Sequence, residues 1–510
     1  MNRLFNNTLF TALDYVVMIA LSLVATPVLI HHLGIAGYGV FVFLSMFSFY
    51  GALSFFDFGM NGSLVTYVAK AEAEGDRRTL HELLSIGLVF YAAIGAALAI
   101  GLYLSAGFII DRFVATNSAL NMDQIQRAIV IISGTLFLQF LSLPLTAVVE
   151  GLRRYTMSKT ANSALLIPQY ILLMVAAIWS QRLDYAFSVM LLISCIRLIV
   201  FSTLLRIKVV QFSDFTFGFR KQLFCKLTNY SGLLFTNRLI GLVFNQLDKI
   251  LCWLYLVVSS LTIYDVVVRP ANLLRLVLTI TNSSLIPEVA RLNRLGEEEL
   301  IGQLYINMVR YCYLILLPLV LVVGVYAKQL LGLWVGPELA VHWPLVLILL
   351  SVYLVQPIAS VASTVVIGLE RVRQTMWIAV TGTVVNIVLS LSLVGRYEIA
   401  GLLAATLAAQ ILMVGPYATV MTRLLGVPLG ALLRPIGRIL TCAIPFALAH
   451  VLISMQVVEP RGVTLATAGV VMIVHLGVNY RLLLSDEERN YLIERLHACK
   501  ARISHRGVTQ

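Results

Sequence analysis

Apolar residues along the chain fall in blocks of about 20, separated by short polar stretches, the length at which a helix rising 1.5 Å per residue crosses a bilayer. Fourteen such blocks lie near 9–30, 37–60, 83–110, 126–149, 157–179, 185–206, 231–257, 262–286, 304–326, 342–367, 374–395, 399–422, 436–456 and 462–480. The pattern predicts an all-α membrane protein with 14 transmembrane helices. A transmembrane β-barrel would instead alternate apolar and polar positions over ~10-residue segments. The first block follows "MNRLFNN"; its apolar run is too long, and "TPVLIHHLG" too poor a cleavage site, for a signal peptide, so it reads as a retained helix.

Composition agrees. Of 510 residues, 59% are hydrophobic and 12% charged, with a mean hydropathy of +0.90, whereas soluble domains carry roughly 25% charged residues. The net charge of +12 invites a nucleic-acid reading, but its distribution points to topology. With the N-terminus inside, 25 of the 37 Lys and Arg fall in inside segments and five in outside loops. That asymmetry predicts cytoplasmic termini by the positive-inside rule and no nucleic-acid partner. The six cysteines are scattered, which argues against a metal or disulfide framework.

A short internal repeat organises the chain. Span four ends in "VVEGLRRYTMSKTANS" and span ten in "VVIGLERVRQTMWIAV", so Gly151 and Gly368 align at one topological place. Six spans (1–206), a basic cytoplasmic linker (207–230) and six more spans (231–425) then describe two related halves, a known transporter plan. Helices 13 and 14 (426–480) are appended, and 481–510 is a cytoplasmic tail. In that tail Ser485 and Glu488 fit a capping pattern, and Leu492, Leu496, Cys499 and Ile503 share one helical face.

Enzymatic signals are absent. No phosphate-binding loop, zinc-protease helix or nucleophile elbow occurs, "GIAGYG" at 34–39 lacks a βαβ context, and the outside loops are short. The expectation is therefore no enzyme, no cofactor and no metal. The signal lies in charges within spans, each costing at least ~2.5–3.5 kcal/mol at mid-membrane on insertion scales. Span eight, "TIYDVVVRPANLLRLVLTITN", carries Asp265, Arg269 and Arg275. Asp265 and Arg269 are four apart and can pair; Arg275 has no acid one turn away and shares a face with Asn272, Thr279 and Asn282. In span seven Arg238, Asn245 and Lys249 share a face, and Asp248 is expected to pair with Arg269 across the turn. Gln139 lies in a polar stripe of span four. One reading is salt bridging that fixes helix packing; the other is an anion site, for which arginine's planar fork suits phosphate. By helix rise, Arg238 and Arg275 would form a tier nearer the cytoplasm and Lys249 and Arg269 an outer one. Asp14, Asp57, Asp248 and Asp265 are candidate ion-coupling groups.

"TPVLIHHLGIAGYGVF", "SFFDFGMNGSLV", "VVEGLRRYTMSKTANS" and "NQLDKILCWLYLVVSSLTIYDVVVRP" resemble the polysaccharide transporter family, which includes the Wzx-type flippases of O-antigen and capsule units and shares a superfamily with MATE drug exporters and the MurJ lipid II flippase. The resemblance covers about 1–425. It implies a MATE-like, V-shaped, two-lobe transporter in the bacterial inner membrane, alternating access around a cationic cavity. Its substrate would be an undecaprenyl-pyrophosphate-linked oligosaccharide, and its partners membrane lipids and the polymerase and chain-length proteins of the same pathway. The resemblance places Lys249 and Arg269 on the substrate. Arg238 and Arg275 join them by helical spacing. MATE-like export of small organic cations and MurJ-like lipid II flipping are the alternatives.

Overall fold

The computed structural model describes residues 2–48, 56–116, 121–208, 215–455, 461–484, 486 and 488–490, with side chains except at 2–16, 113–116, 207–208, 233–234, 236–245, 280, 283–284 and 461–465. The candidate side chains of Asp14, Arg238 and Asn245, and the tail face from Leu492 to Ile503, lie outside the described residues.

Among the described residues there are sixteen helices and no strand: α1 (Asn2–Ser45), α2 (Met60–Glu74), α3 (Arg77–Leu104), α4 (Ala106–Thr116), α5 (Met122–Gly151), α6 (Tyr155–Ser180), α7 (Leu183–Lys208), α8 (Lys221–Tyr255), α9 (Val258–Leu295), α10 (Glu298–Val325), α11 (Ala327–Trp334), α12 (Pro337–Ala340), α13 (Trp343–Gly368), α14 (Val372–Leu425), α15 (Leu429–Met455) and α16 (Arg461–Leu483). Ten are long and apolar enough to cross a membrane, among them α14 with 54 residues, which Glu398 breaks at φ 50°. The charge-bearing α8 and α9 fall outside those ten. The protein is thus an all-helical, multi-pass membrane protein. Its exposed apolar side chains, such as Trp179 at 88% and Val470 at 60%, suit hydrocarbon, where helices satisfy their own backbone groups.

The expected loop at 61–82 is instead helical. Helix α2 runs to Glu74, and α3 begins three residues later because Gly75 takes the left-handed conformation (φ 70°) that ends α2 and Asp76 caps α3 by accepting from Thr79 N at 3.0 Å. Charged residues marked a loop in the sequence; here they mark helix extending past the apolar layer.

The chain forms two compact units, Met1–Leu273 with Arg373–Ala409, and Leu274–Val372 with Gln410–Gln510. In the first, α5 packs against α2, α3 and α7 around Leu64, Val68, Leu83, Tyr91, Leu136 and Phe140. In the second, α10 packs against α13, α15 and α16; Glu488 there accepts from Arg310 and from the Tyr311 hydroxyl.

The repeat extends well beyond its sequence motif. Gly75 and Gly296, 221 positions apart, have φ 70° and 75°, and each is followed by an amide bonded to the carbonyl five residues back: Asp76 N to Ala71 O at 3.0 Å, Glu297 N to Leu292 O at 3.1 Å. Helices α4 and α11 start at the same spacing, as do α5 and α13. Helix α5 has 30 residues and α13 has 26, after which the spacing is 217. Arg153 and Glu370 have φ 57° and 61°; Gln181 and Glu398 share a φ of 51° and 50° but not ψ, which is 25° and −130°. A Cβ at Gly151 would sit 2.7 Å from Val68 Cβ, and one at Gly368 would sit 2.7 Å from Val289 Cβ. The repeated glycine is therefore a close-packing position in both copies.

Candidate functional site

The "GIAGYG" stretch is a helix crossing. Gly34 (φ 74°) breaks α1, and beyond it the chain lies so close to α9 that a Cβ at Gly39 would be 2.4 Å from the Val258 carbonyl oxygen. Thr262 Oγ1 donates to Ile35 O at 2.6 Å. This approach carries the fully buried Tyr38 to Asp265, whose Oδ2 accepts from the Tyr38 hydroxyl at 2.8 Å.

Asp265 is the centre of the charged cluster. Its Oδ2 also accepts from Arg269 Nε at 2.5 Å, the pairing expected from the four-residue spacing, and its Oδ1 lies 3.4 Å from Lys249 Nζ. Arg269 Nη1 donates to Ser22 O at 3.3 Å. Two cations thus share one carboxylate, leaving a surplus of one positive charge.

Asp248 does not pair with Arg269 as the sequence suggested. Its Oδ2 accepts from the Tyr264 hydroxyl at 3.1 Å and from Thr406 Oγ1 at 3.3 Å. The reason is angular: Asp248 and Lys249 point about 100° apart on α8, and Lys249 takes the direction of Asp265. Thr406 in turn accepts from Asn386 Nδ2 at 3.0 Å. Asp248 Oδ1, Asn386 Oδ1 and Ser390 Oγ are buried with no hydrogen-bond partner among the described residues. Carbonyl, carboxylate and hydroxyl oxygens with unused lone pairs suit a hard cation.

A cavity of about 450 Å³ opens beside the cluster, walled by α1, α6, α7 and α9. Arg269, Lys159 and Arg197 line it, with Asn162, Gln169, Tyr155 and Tyr170; no described lining residue is acidic. Lys159 stands 5.0 Å from the Tyr155 ring centroid and 3.7 Å from Glu150, which is outside the lining. Arg197 is buried at 6% exposure. Asn162 Oδ1 and Ser45 Oγ are buried without a partner among the described residues. The pocket offers cationic N–H groups and aromatic faces, the chemistry that recognises an anion beside a flat ring or sugar face.

The other sequence candidates lie apart. Gln139 Nε2 meets Ser194 Oγ at 3.5 Å between α5 and α7, outside the cavity lining. Asp57 is buried and accepts from Asn61 N at 3.1 Å and from the Tyr91 hydroxyl. Asn272 is half-buried and Arg275 exposed; in the second unit Asn282 Nδ2 donates to Ser360 Oγ at 2.7 Å. Sequence reasoning missed Lys159 and Arg197. The available signal was Arg197 itself, an arginine inside an otherwise apolar span.

Comparison with known proteins gives the lineage. The family described as "Polysaccharide biosynthesis protein" matches residues 4–293. No curated protein matches the sequence. Among solved structures, the lipid II flippase MurJ in an inward closed conformation aligns over 94% of this chain and 100% of its own, with a TM-score of 0.70 and 14% identity. An inward-facing multidrug resistance MATE transporter aligns over 79% and 95%, with a TM-score of 0.62 and 14% identity. A MOP superfamily transporter from Pyrococcus furiosus, described as having a binding pocket of reverse polarity, aligns over 81% and 96% at 0.50 and 12%. Matched over more than half of its length, the chain belongs to the polysaccharide biosynthesis protein family and shares the fold of MurJ and the MATE transporters.

Proposed function

We propose that the protein moves a polyprenyl-pyrophosphate-linked oligosaccharide from the cytoplasmic to the periplasmic leaflet of the bacterial inner membrane by alternating access. Residues 1–206 and 231–425 act as two lobes and both termini face the cytoplasm. The observation that carries this reading is the cavity: three basic side chains, Lys159, Arg197 and Arg269, and no acid among the described lining residues. Arginine's fork matches a phosphate oxygen pair, and a partly enclosed site strengthens such bonds relative to water. Tyr155 and Tyr170 offer faces to the adjoining sugar. Arg238 receives the pyrophosphate from the cytoplasmic side; Lys249 and Arg269 hold it before release. An inside-negative potential favours outward movement of an anion by about 2.3 kcal/mol per charge per 100 mV.

The oxygens around Asp248 supply the coupling step. Asp248 takes up a proton, or Asp248 with the oxygens of Asn386 and Thr406 takes up a sodium ion, whose inward movement resets the carrier. A MATE-like exporter of organic cations would need acidic side chains beside its aromatic rings, and no described residue of this lining is acidic.

The test is transport in vesicles carrying the purified chain and a fluorescently tagged polyprenyl-pyrophosphate oligosaccharide, with access to the tag read by an impermeant quencher. Arg197→Gln should slow flipping at least about tenfold, the equivalent of one lost charge-assisted bond, and Arg197→Lys should restore it only in part. Transport of a small organic cation without lipid flipping would overturn the reading.

A further inference from the structure

The cavity binds its anion with groups that already have an internal competitor. Asp265 takes Arg269 Nε, and the Ser22 carbonyl takes Nη1, so the cavity meets only the remaining N–H groups of the five. How firmly Asp265 holds the guanidinium therefore decides how much positive charge reaches a ligand. Besides Lys249 on Oδ1, a neutral group acts on that carboxylate: the Tyr38 hydroxyl, bonded to the same Oδ2 that Arg269 uses.

Tyr38 is fully buried and is absent from the cavity lining, so it does not touch a ligand there. Packing alone would be served by phenylalanine. The hydroxyl instead reaches Asp265 at 2.8 Å, with Thr26 Oγ1 3.4 Å on its other side. Gly39 and the Thr262 to Ile35 bond hold this stretch of α1 against α9. We infer that Tyr38 is a positioning residue of the anion site: by donating to Asp265 Oδ2 it weakens the carboxylate's grip on Arg269 and Lys249 and leaves their charge available to the cavity. This rests on the reading of the cavity as an anion site. In a low-dielectric interior, a carboxylate deprived of one neutral donor pulls harder on its remaining cationic ones.

The experiment is titration of the purified full-length chain in lipid nanodiscs with inorganic pyrophosphate, read by calorimetry. Tyr38→Phe should weaken binding roughly three- to tenfold, the range set by one hydrogen bond. Asp265→Asn should tighten it, and in that background Tyr38→Phe should have no further effect. A packing role would give the opposite pattern: equal weakening by Tyr38→Phe with and without Asp265. If Asp265→Asn does not fold, 3-fluorotyrosine at position 38 decides. Its more acidic hydroxyl is a stronger donor at nearly the same volume, so binding should tighten; unchanged or weaker binding overturns the inference. Absence of pyrophosphate binding by the unmodified chain overturns the anion-site reading itself, whereas binding that is indifferent to Tyr38 overturns only its role.

Discussion

Gly39→Ala tests the helix crossing on which the charged cluster depends. The new Cβ would lie 2.4 Å from the Val258 carbonyl oxygen and 3.2 Å from Thr262 Oγ1. Carbon and carbonyl oxygen settle at about 3.3–3.6 Å, so the two segments must part by roughly 1 Å. The atom in the way is backbone and cannot swing aside as a side chain would. That displacement would stretch the Thr262 to Ile35 bond from 2.6 Å and the Tyr38 to Asp265 bond from 2.8 Å beyond useful length. Overpacking costs about 1–3 kcal/mol, and two lost hydrogen bonds about 1 kcal/mol each. The better helix propensity of alanine returns about 0.5–1 kcal/mol. The net expectation is about 2–4 kcal/mol of destabilisation, with weaker pyrophosphate binding because Asp265 loses its hydroxyl partner. Gly101→Ala is the control: its Cβ would meet nothing within 4 Å, so only the propensity gain remains. Thermal unfolding in one detergent, followed by size-exclusion of the surviving fraction, compares them. If Gly39→Ala melts with or above Gly101→Ala, the close approach does not hold the site together.

The repeat predicts matched losses. Gly151→Ala and Gly368→Ala meet Val68 and Val289 at the same 2.7 Å, so each should lower stability by about 1–3 kcal/mol; tolerance at one site and collapse at the other would break the equivalence. Glu398 has φ 50° and ψ −130°, a region suited to glycine, so Glu398→Gly should stabilise the fold by about 1–3 kcal/mol before glycine's entropy is deducted, seen as a higher melting temperature. Asp76 has its carboxyl held below the usual range by the Thr79 side-chain and backbone hydrogen bonds. Its contribution to holding the first turn of α3 is therefore present at neutral pH, above the unfolded value near ~3.9, and is lost as pH falls through the lower folded value. Asp76→Ala should remove about 1 kcal/mol at neutral pH, seen as faster amide exchange at 77–80, and the variant and parent should converge in acid. Asp248→Asn should abolish dependence of vesicle transport on the cation gradient while leaving pyrophosphate binding within about twofold; unchanged gradient dependence would remove Asp248 from the coupling step.

Helices were readable wherever chemistry repeats on a short scale. Twenty apolar residues announce a crossing, and Asp265 and Arg269 announce their pairing because four residues bring side chains to one face. Lys249 and Asp265 are sixteen residues apart on two helices, and no periodicity connects them. The choice of Lys249 over Asp248 for that contact depends on how α8 is rotated against α9, a packing outcome. Lys159 was hidden differently. By position it is one more basic residue after span four, where topology already explains basic charge, and only the fold turns it toward Arg197 and Arg269. The helical continuation of α2 was obscured by the same polar residues that signal a loop near a membrane surface. The motif at Gly151 and Gly368 was legible because identical letters survive there; Gly75 and Gly296 align only once the backbone angles are compared.

The register of the two copies also dates the chemistry relative to the scaffold. A duplicated ancestor would have carried the same side chains in both halves, yet at the 221-residue spacing Lys249, Asp265 and Arg269 fall on Val28, Leu44 and Ser48. The turns at Gly75 and Gly296 and the close-packed glycines have stayed alike while the ionisable groups have not. Each copy now carries its own ionisable groups, Lys159 and Arg197 in the first and Lys249, Asp265 and Arg269 in the second, and a difference of four residues, about one helical turn, within a crossing leaves the positive φ that follows it in place. A few substitutions in either copy can therefore change the charges that a site presents while the paired framework stays intact.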